Sequence, residues 1–320
     1  MQQITSQTAD TSQLDALADG CGMFMWEGAT VISHTGPDAL DLLHRLTTKD
    51  LLSVGTGRSC RTALTSAKGR VIDVFLVAHI LEDELLLVSD SSNSDRLVSA
   101  IDYFTIIEDA ELTNRTDQST RISLVGPSAR AVAAAGMGVK IDLDDAVQVS
   151  IYGDLVQIIS DSSRGVEWVD VICKDACATR LSESLTTGGA MAVDQANFEH
   201  FRINAAIPGS DREYGEHANP IEAHLLHLID WDKGCYVGQE VIARLDAYDK
   251  VQRNVRVLVS DIPLSENVKL TADSKPAGVV TSSSQLATSD GHYLSLALIR
   301  MAHLEPDTEL MAGEVVVRVR

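Results

Sequence analysis

No apolar run in this sequence approaches the roughly 20 residues that a helix needs to span a bilayer, so a transmembrane helix is excluded. The stretch from Met1 to Asp19 is polar and slightly acidic, with neither the apolar centre of a signal peptide nor the arginines of a transit peptide. Cysteines are few. Cys21, Cys60, Cys173, Cys177 and Cys235 are odd in number and lack framework spacing, so they read as reduced thiols and the expected compartment is the cytoplasm. Basic residues are scarce as well, 26 Lys and Arg against 46 Asp and Glu, for a net charge of −20. A surface of that sign repels phosphate backbones and argues against a broad nucleic-acid interface, while leaving room for one local basic pocket around a small anion. Low-complexity segments and heptads are also lacking. With no apolar repeat to advertise an interface, a monomer is expected. What is present is globular: 45% hydrophobic and 22% charged residues over 320 positions, enough for two or three domains.

Two stretches follow the same plan. Val31 to Leu46 reads as a short strand, a Gly-Pro turn and a helix, and Arg121 to Ala135 repeats it, Gly36-Pro37 recurring as Gly126-Pro127. Proline is tolerated in a first helical turn because its missing N–H would be unpaired there. After the first helix, strands are expected near Ser59–Leu64, Val71–Ile80 and Leu85–Ser89, then a helix opened by Ser94 or Asp95. After the second they are expected at Val147–Tyr152, Leu155–Ser160 and Val166–Cys173, then a helix from Lys174 to Leu185. Six elements in one order indicate an internal duplication, two βαβββα units over about 30–110 and 120–190, and an α+β architecture. From Asn254 onward short β-branched runs (NVRVLVS, KLTA, AGVVTSSS, YLSLALIRM, GEVVVRVR) indicate a small C-terminal β-barrel. The expected division is 1–250, including a motif segment over 200–250, and 251–320.

Chemistry concentrates between these halves, in Asp232-Lys233-Gly234-Cys235-Tyr236-Val237-Gly238-Gln239-Glu240 followed by Arg244. An isolated cysteine is most simply a small buried hydrophobe. Here it lies between two glycines that permit close backbone approach, with a cation two residues before it that would favour thiolate. Glu240 and Arg244 would pair at i, i+4 if Val241 to Leu245 is helical. His217, His224 and His227 lie nearby, but their spacing fits no common zinc pattern, and no metal site is expected. A Cys–His hydrolase built from Cys235 and one of them has no supporting signature. Cys173 and Cys177 read as buried structural thiols. Trp26, Trp168 and Trp231 read as core or pocket walls, with Trp231 placed to touch a flat ligand.

Lys233 to Glu240, K-G-C-Y-V-G-Q-E, resembles the signature K-G-C-Y-x-G-Q-E of YgfZ-type folate-binding proteins, relatives of the glycine-cleavage T-protein, an aminomethyltransferase. The resemblance extends through Phe201-Arg202-Ile203, Ile207-Pro208, Asn219-Pro220-Ile221-Glu222-Ala223, Ala243-Arg244 and the basic Lys250 to Arg253, over nearly the whole chain in element order. It implies three domains in a ring holding tetrahydrofolate or a related reduced folate. It also implies a link to maintenance of iron–sulfur enzymes, with iron–sulfur proteins as clients and the motif cysteine needed. Cys235 and Lys233 are the implied catalytic pair; Arg202, Asn204, Glu222, Tyr236, Gln239, Glu240, Arg244 and Asp73 are the implied folate contacts. A pterin edge needs a fixed carboxylate or amide, for which Glu222 or Asn204 could serve; the glutamate tail needs a cation, from Arg202, Lys233 or Arg244.

Two departures separate this sequence from the aminomethyltransferase pattern. T-proteins show Gly-Gly-x-x-Asp-Asp with the second Asp as acid/base. Here Lys68-Gly69-Arg70-Val71-Ile72-Asp73-Val74 puts Val74 at that position, and valine cannot exchange protons. Asp73, one step along the strand, faces the other way. Arg202-Ile203-Asn204 replaces Arg-hydrophobic-Glu, keeping hydrogen bonding without the charge. The leading expectation is therefore a folate-dependent accessory factor for iron–sulfur proteins. An aminomethyltransferase and a non-catalytic folate-binding scaffold are the alternatives.

Overall fold

The computed structural model describes residues 7–248 and 250–320. The chain opens with β1 (Gln7–Thr8), α1 (Thr11–Asp19) and β2 (Gly22–Met25). The first repeat follows as β3 (Thr30–Thr35), α2 (Ala39–Leu46), β4 (Arg58–Thr65), β5 (Val71–Leu81), β6 (Glu84–Ser89) and α3 (Ser94–Asp102), trailed by β7 (Glu111–Asn114). The second is β8 (Thr120–Val125), α4 (Ala129–Met137), β9 (Ala146–Ile151), β10 (Asp154–Asp161), β11 (Trp168–Cys173) and α5 (Asp175–Thr187), trailed by β12 (Met191–Ala192). Then come α6 (Gln195–Asn204), α7 (Gln239–Ala247) and the strands β13 (Arg253–Ser260), β14 (Lys269–Ala272), β15 (Lys275–Ala287), β16 (Tyr293–Arg300), β17 (Glu309–Ala312) and β18 (Val315–Val319).

The duplication is visible in strand order. One sheet runs β4-β5-β6-β3-β7 and the other β9-β10-β11-β8-β2-β12. Four strands correspond one to one; in the second sheet β2, from before the first repeat, is inserted between β8 and β12. The recurring Gly-Pro has a steric cause. Gly36 and Gly126 sit at φ +116° and +120°, and a Cβ on either would run into a backbone carbonyl, that of Asp109 or that of Gly20. Each glycine donates its N–H across the sheet, Gly36 to Asp83 and Gly126 to Glu167, and accepts from the first helical residue, Ala39 or Ala129. Pro37 and Pro127 thus occupy the turn that leads into the helix, just ahead of its first residue.

These two sheets belong to one compact unit, Asp15–Val193 with His227–Val241. Strand β5 is apolar almost without interruption because both its faces are covered. Phe75 and Val77 pack with Leu42, Leu43, Leu97 and Ile101 of the helices, while Leu76, Ala78 and Ile80 meet Ile159 and Ile172 of the other sheet. The sheets are also zipped at their edges, Ser59 N–H to Asp144 O and Ala146 N–H to Gly57 O, each at 2.8 Å.

Between them lies a buried network of alternating charge. Arg61 pairs with Asp161 at 2.8 Å, Arg164 with Asp90 at 2.8 Å and with Asp161 at 3.3 Å, and Arg121 with both Asp90 and Asp170 at 2.8 Å. Arg121 grips Asp170 with Nε and Nη2 together, and Ser123 and the Trp168 indole N–H donate to the same carboxylate. Trp26 and Trp168 lie under the Arg121 and Arg164 guanidinium planes at 4.4 and 4.1 Å. Three arginines and three aspartates leave the interior neutral; burial pushes Asp90 and Asp161 up, but the arginine cations beside them outweigh it and hold both well below the ordinary carboxylate range.

The other unit comprises the described residues of Met1–Leu14, Asp194–Leu226 and Ile242–Arg320. Its sheet runs β15-β14-β17-β18-β13-β16, and pairing of β15 with β16 closes it into a six-stranded barrel, with β1 added beside β15. Leu258, Leu270, Val280, Ile299, Leu310 and Val317 fill it. Strand β17 (ELMA) was absent from the sequence expectation, being four residues with no β-branched side chain. No helix among the described residues is long and apolar enough to cross a membrane.

Candidate functional site

The K-G-C-Y-V-G-Q-E segment is a loop pinned at both ends and open in the middle. At its start, Lys233 Nζ donates to the carbonyls of His44, Thr47 and Lys49 at 2.5, 2.7 and 2.7 Å. The first two lie at the C-terminal end of α2, where unpaired carbonyls and the helix dipole favour a cation. Burial pulls the ammonium down to about 8, opposed by Asp50 and Asp230. At the far end, Thr65 Oγ1 donates to Val237 O at 2.5 Å, and Gly238, at φ +86°, lies against the turn joining β4 to β5. A Cβ on Gly238 would come within 2.5 Å of Ser66 O. Gly234 is different: a Cβ there would meet nothing nearer than His44 Nε2 at 4.0 Å.

Between the pins, Cys235 is exposed and Tyr236 is buried. By its place in the motif, Lys233 is expected to activate the thiol. Its donors are instead spent on backbone carbonyls. Tyr236 lies with its ring 5.4 Å from Lys233 Nζ and its hydroxyl buried without a hydrogen-bond partner, and burial pushes that phenol up to about 12. Trp231 is 41% exposed, upstream of the thiol. Gln239 and Glu240 open α7, and Arg244 stands one turn further along, so the acid and the cation each suit the local end of the helix dipole.

Asp73 lies on the same face of β5 as Phe75, the face against which Val237 packs. Its Oδ1 accepts from Ser89 Oγ at 2.8 Å and from Val74 N–H at 2.7 Å, while Oδ2 is buried with no partner. Burial raises this carboxyl to about 6, against the pull of Ser89 and Arg96. Val74 alternates to the opposite face and is itself buried.

Four further candidates lie in the barrel-bearing unit or, for Arg244, on the part of α7 that belongs to it. Arg202 is enclosed: Nε and Nη2 grip Glu199, Nη1 reaches Ile207 O and Glu213, and Nη2 reaches Ser282. All five of its N–H donors are thereby used, so it ties α6 to β15 and keeps nothing for a ligand tail. Asn204 ends α6 and is held by Arg320 through its side chain at 2.7 Å and its carbonyl at 2.5 Å. Glu222 is buried and pairs with Arg253 at 3.3 Å, within a turn that Asn219 caps by accepting from the N–H groups of Ile221 and Glu222. Sequence reading missed the partners that shape the loop, His44, Thr47, Lys49, Thr65 and Ser66. Backbone carbonyls leave no trace in residue type, and only the glycine at 238 hinted at a close approach. Among the described residues no three of His, Cys, Asp and Glu converge as a metal site.

Paired α+β sheets, a closed six-stranded barrel and a Gly-flanked cysteine loop are the features to set beside known proteins. The GCVT N-terminal domain model matches residues 4–233, and the chain belongs to that family. A chloroplastic protein of Arabidopsis thaliana described as a transferase is 26% identical over 89% of this chain and 66% of its own length. The aminomethyltransferase of Halalkalibacterium halodurans is 26% identical over 96% of this chain and 84% of its own. Among solved structures, the glycine cleavage system aminomethyltransferase T of Bartonella henselae superposes with a TM-score of 0.82 at 18% identity, covering 97% of this chain and 87% of that one, which establishes the shared fold.

Proposed function

We propose that this chain is a folate-binding protein of the YgfZ type, serving iron–sulfur proteins through Cys235 rather than transferring aminomethyl groups. The observation that carries the reading is the motif loop itself: K-G-C-Y-V-G-Q-E, anchored at Lys233 and Gly238, with its one cysteine exposed between the anchors. Reduced folate suits two buried polar atoms that have no protein partner. Asp73 Oδ2 is an acceptor for the N–H edge of a pterin, and the Tyr236 hydroxyl can donate to or accept from it. Tetrahydrofolate, when bound, supplies a carrier for a one-carbon unit; the protein's part is to bind and orient it. Arg202 and Glu222, first candidates by sequence, are taken up by ion pairs within their own unit, which fix α6 and the Asn219 turn. Gln239, Glu240 and Arg244 of α7 remain candidates for polar contacts to folate.

The relatives named aminomethyltransferase favour a second reading, methylene transfer to folate. Val74 weighs against it, because the acid/base carboxylate of that chemistry has no counterpart there. One comparison separates the two. Wild type and Cys235→Ala are tested for rescue of a strain lacking its own YgfZ-type protein, and for tetrahydrofolate affinity. Rescue by wild type alone, with equal folate affinity in both, is the expected result. Aminomethyl transfer by wild type without rescue would establish the second reading instead. Asp73→Asn and Tyr236→Phe are each expected to weaken folate binding about tenfold or more, the scale of one lost buried hydrogen bond.

A further inference from the structure

Lys233 and Cys235 are two residues apart, yet the lysine faces inward and the thiol outward. Three N–H donors meet three carbonyls, of His44, Thr47 and Lys49. The acids nearby have other partners: Asp230 takes Lys49 Nζ at 2.7 Å and the Asp50 N–H at 2.8 Å, and Asp50 faces His44 at 3.3 Å. Thr48 Oγ1 adds a bond to Leu228 O at 2.6 Å, so the segment after α2 is stitched to the motif segment at several points. Cys235 itself is exposed beside the open space at Gly234, and the chain is held again by buried Tyr236 and by Thr65, which grips Val237.

We propose that Lys233 is a positioning residue for Cys235: its ammonium staples the thiol-bearing loop to the end of α2 through hydrogen bonds, instead of activating the thiol by charge. This rests on the reading of Cys235 as the working group, and it explains why a lysine, a compact cation with three donors in a tripod, stands at this place. A methionine would fill the same channel and leave three carbonyls unpaired. An arginine could still donate to them, with a different reach.

The test uses the full chain as wild type, Lys233→Met and Lys233→Arg, with Lys233→Gln as a second neutral variant should the methionine protein fail to fold. Two quantities are read: amide hydrogen exchange over 233–238 and 47–50, and the pH profile of Cys235 alkylation by iodoacetamide, followed by mass. In the neutral variants exchange is expected to accelerate at least about tenfold, equivalent to about 1.4 kcal/mol of local opening. The midpoint of the alkylation profile should stay where it is in wild type. Lys233→Arg should recover a large part of the exchange protection, and rescue of the tester strain should follow exchange rather than charge. A profile midpoint that moves up by about one pH unit in the neutral variants, with exchange unchanged, overturns the staple and restores the activator. Unchanged exchange with an unchanged midpoint also overturns it. Neither exchange nor alkylation involves folate or iron–sulfur proteins, so failure of the functional reading would appear separately, in the rescue and binding experiments.

Discussion

Asp170→Asn strikes the buried charge network where it is most enclosed. Asp170 is wholly buried and Arg121 is 1% exposed, with two hydrogen bonds joining them. The amide keeps one acceptor for Arg121 Nε, Ser123 and Trp168, but turns a donor toward Arg121 Nη2 and leaves three buried arginines to share two carboxylates, Asp90 and Asp161. Breaking one member of a buried pair costs about 3–5 kcal/mol, because the other charge stays in a poorly solvating interior. In a unit of about 190 residues each kcal/mol shifts the melting temperature by about 2–4 °C, so a fall of about 6–20 °C is expected. Differential scanning calorimetry on the full chain measures it. Arg121→Met, Asp170→Leu and their double variant form a double-mutant cycle, in which the double variant should be more stable than the sum of the singles predicts by about 2 kcal/mol or more. A loss below about 1 kcal/mol for Asp170→Asn, or additive singles, would refute the reading of Arg121 and Asp170 as a coupled buried pair.

Gly238→Ala should destabilise by about 1–2 kcal/mol from its positive φ alone, with more from the Ser66 carbonyl, while Gly234→Ala stays near wild type; urea unfolding compares them. Native alkylation should label Cys235 alone. Burial raises the thiols of Cys21 and Cys173 to about 12 and that of Cys60 to about 11, and mass spectrometry before and after denaturation counts the labels. His34 is fully buried with both ring nitrogens unpartnered, and burial lowers it to about 4. Between about pH 6.5 and 4 the unfolded chain takes the proton first, so acidification should remove about 3 kcal/mol that His34→Leu does not lose. Asp73 acts with the opposite sign. Raised to about 6, it favours the folded protein at low pH, and Asp73→Asn should be spared the loss of stability that wild type suffers as pH rises from about 4 to 6.

Much of this fold could be read from residue order. Repeated Gly-Pro turns, each forced by a carbonyl standing where a Cβ would go, marked the duplication, and β5 and β10 fell within a residue or two of their expected bounds. Strands β2, β7 and β12 escaped notice because two to four residues carry no period, and their pairing is decided by distant partners. The site divided along the same line. The motif marked where the loop is, since its glycines and cysteine are local signals. Arg202 looked like a ligand contact because its acceptors, Glu199, Glu213 and Ser282, are spread over 80 positions and are ordinary surface types until folded. Lys233 was assigned to its sequence neighbour, although its real partners are carbonyls more than 180 positions away.

Strand β2 bears on how the molecule can be made and cut. It is synthesised before the first repeat, yet it lies between β8 and β12 of the second. The first sheet can therefore close on its own strands as they emerge, whereas the second has a gap that only a strand made before the first repeat can fill. That strand must stay unpaired while about a hundred residues pass, the separation from Phe24 to its partner Ser123. A chain restarted just before β3 would keep an intact first sheet and lose the second, so the two halves of this duplication, alike in strand order, are not equally separable.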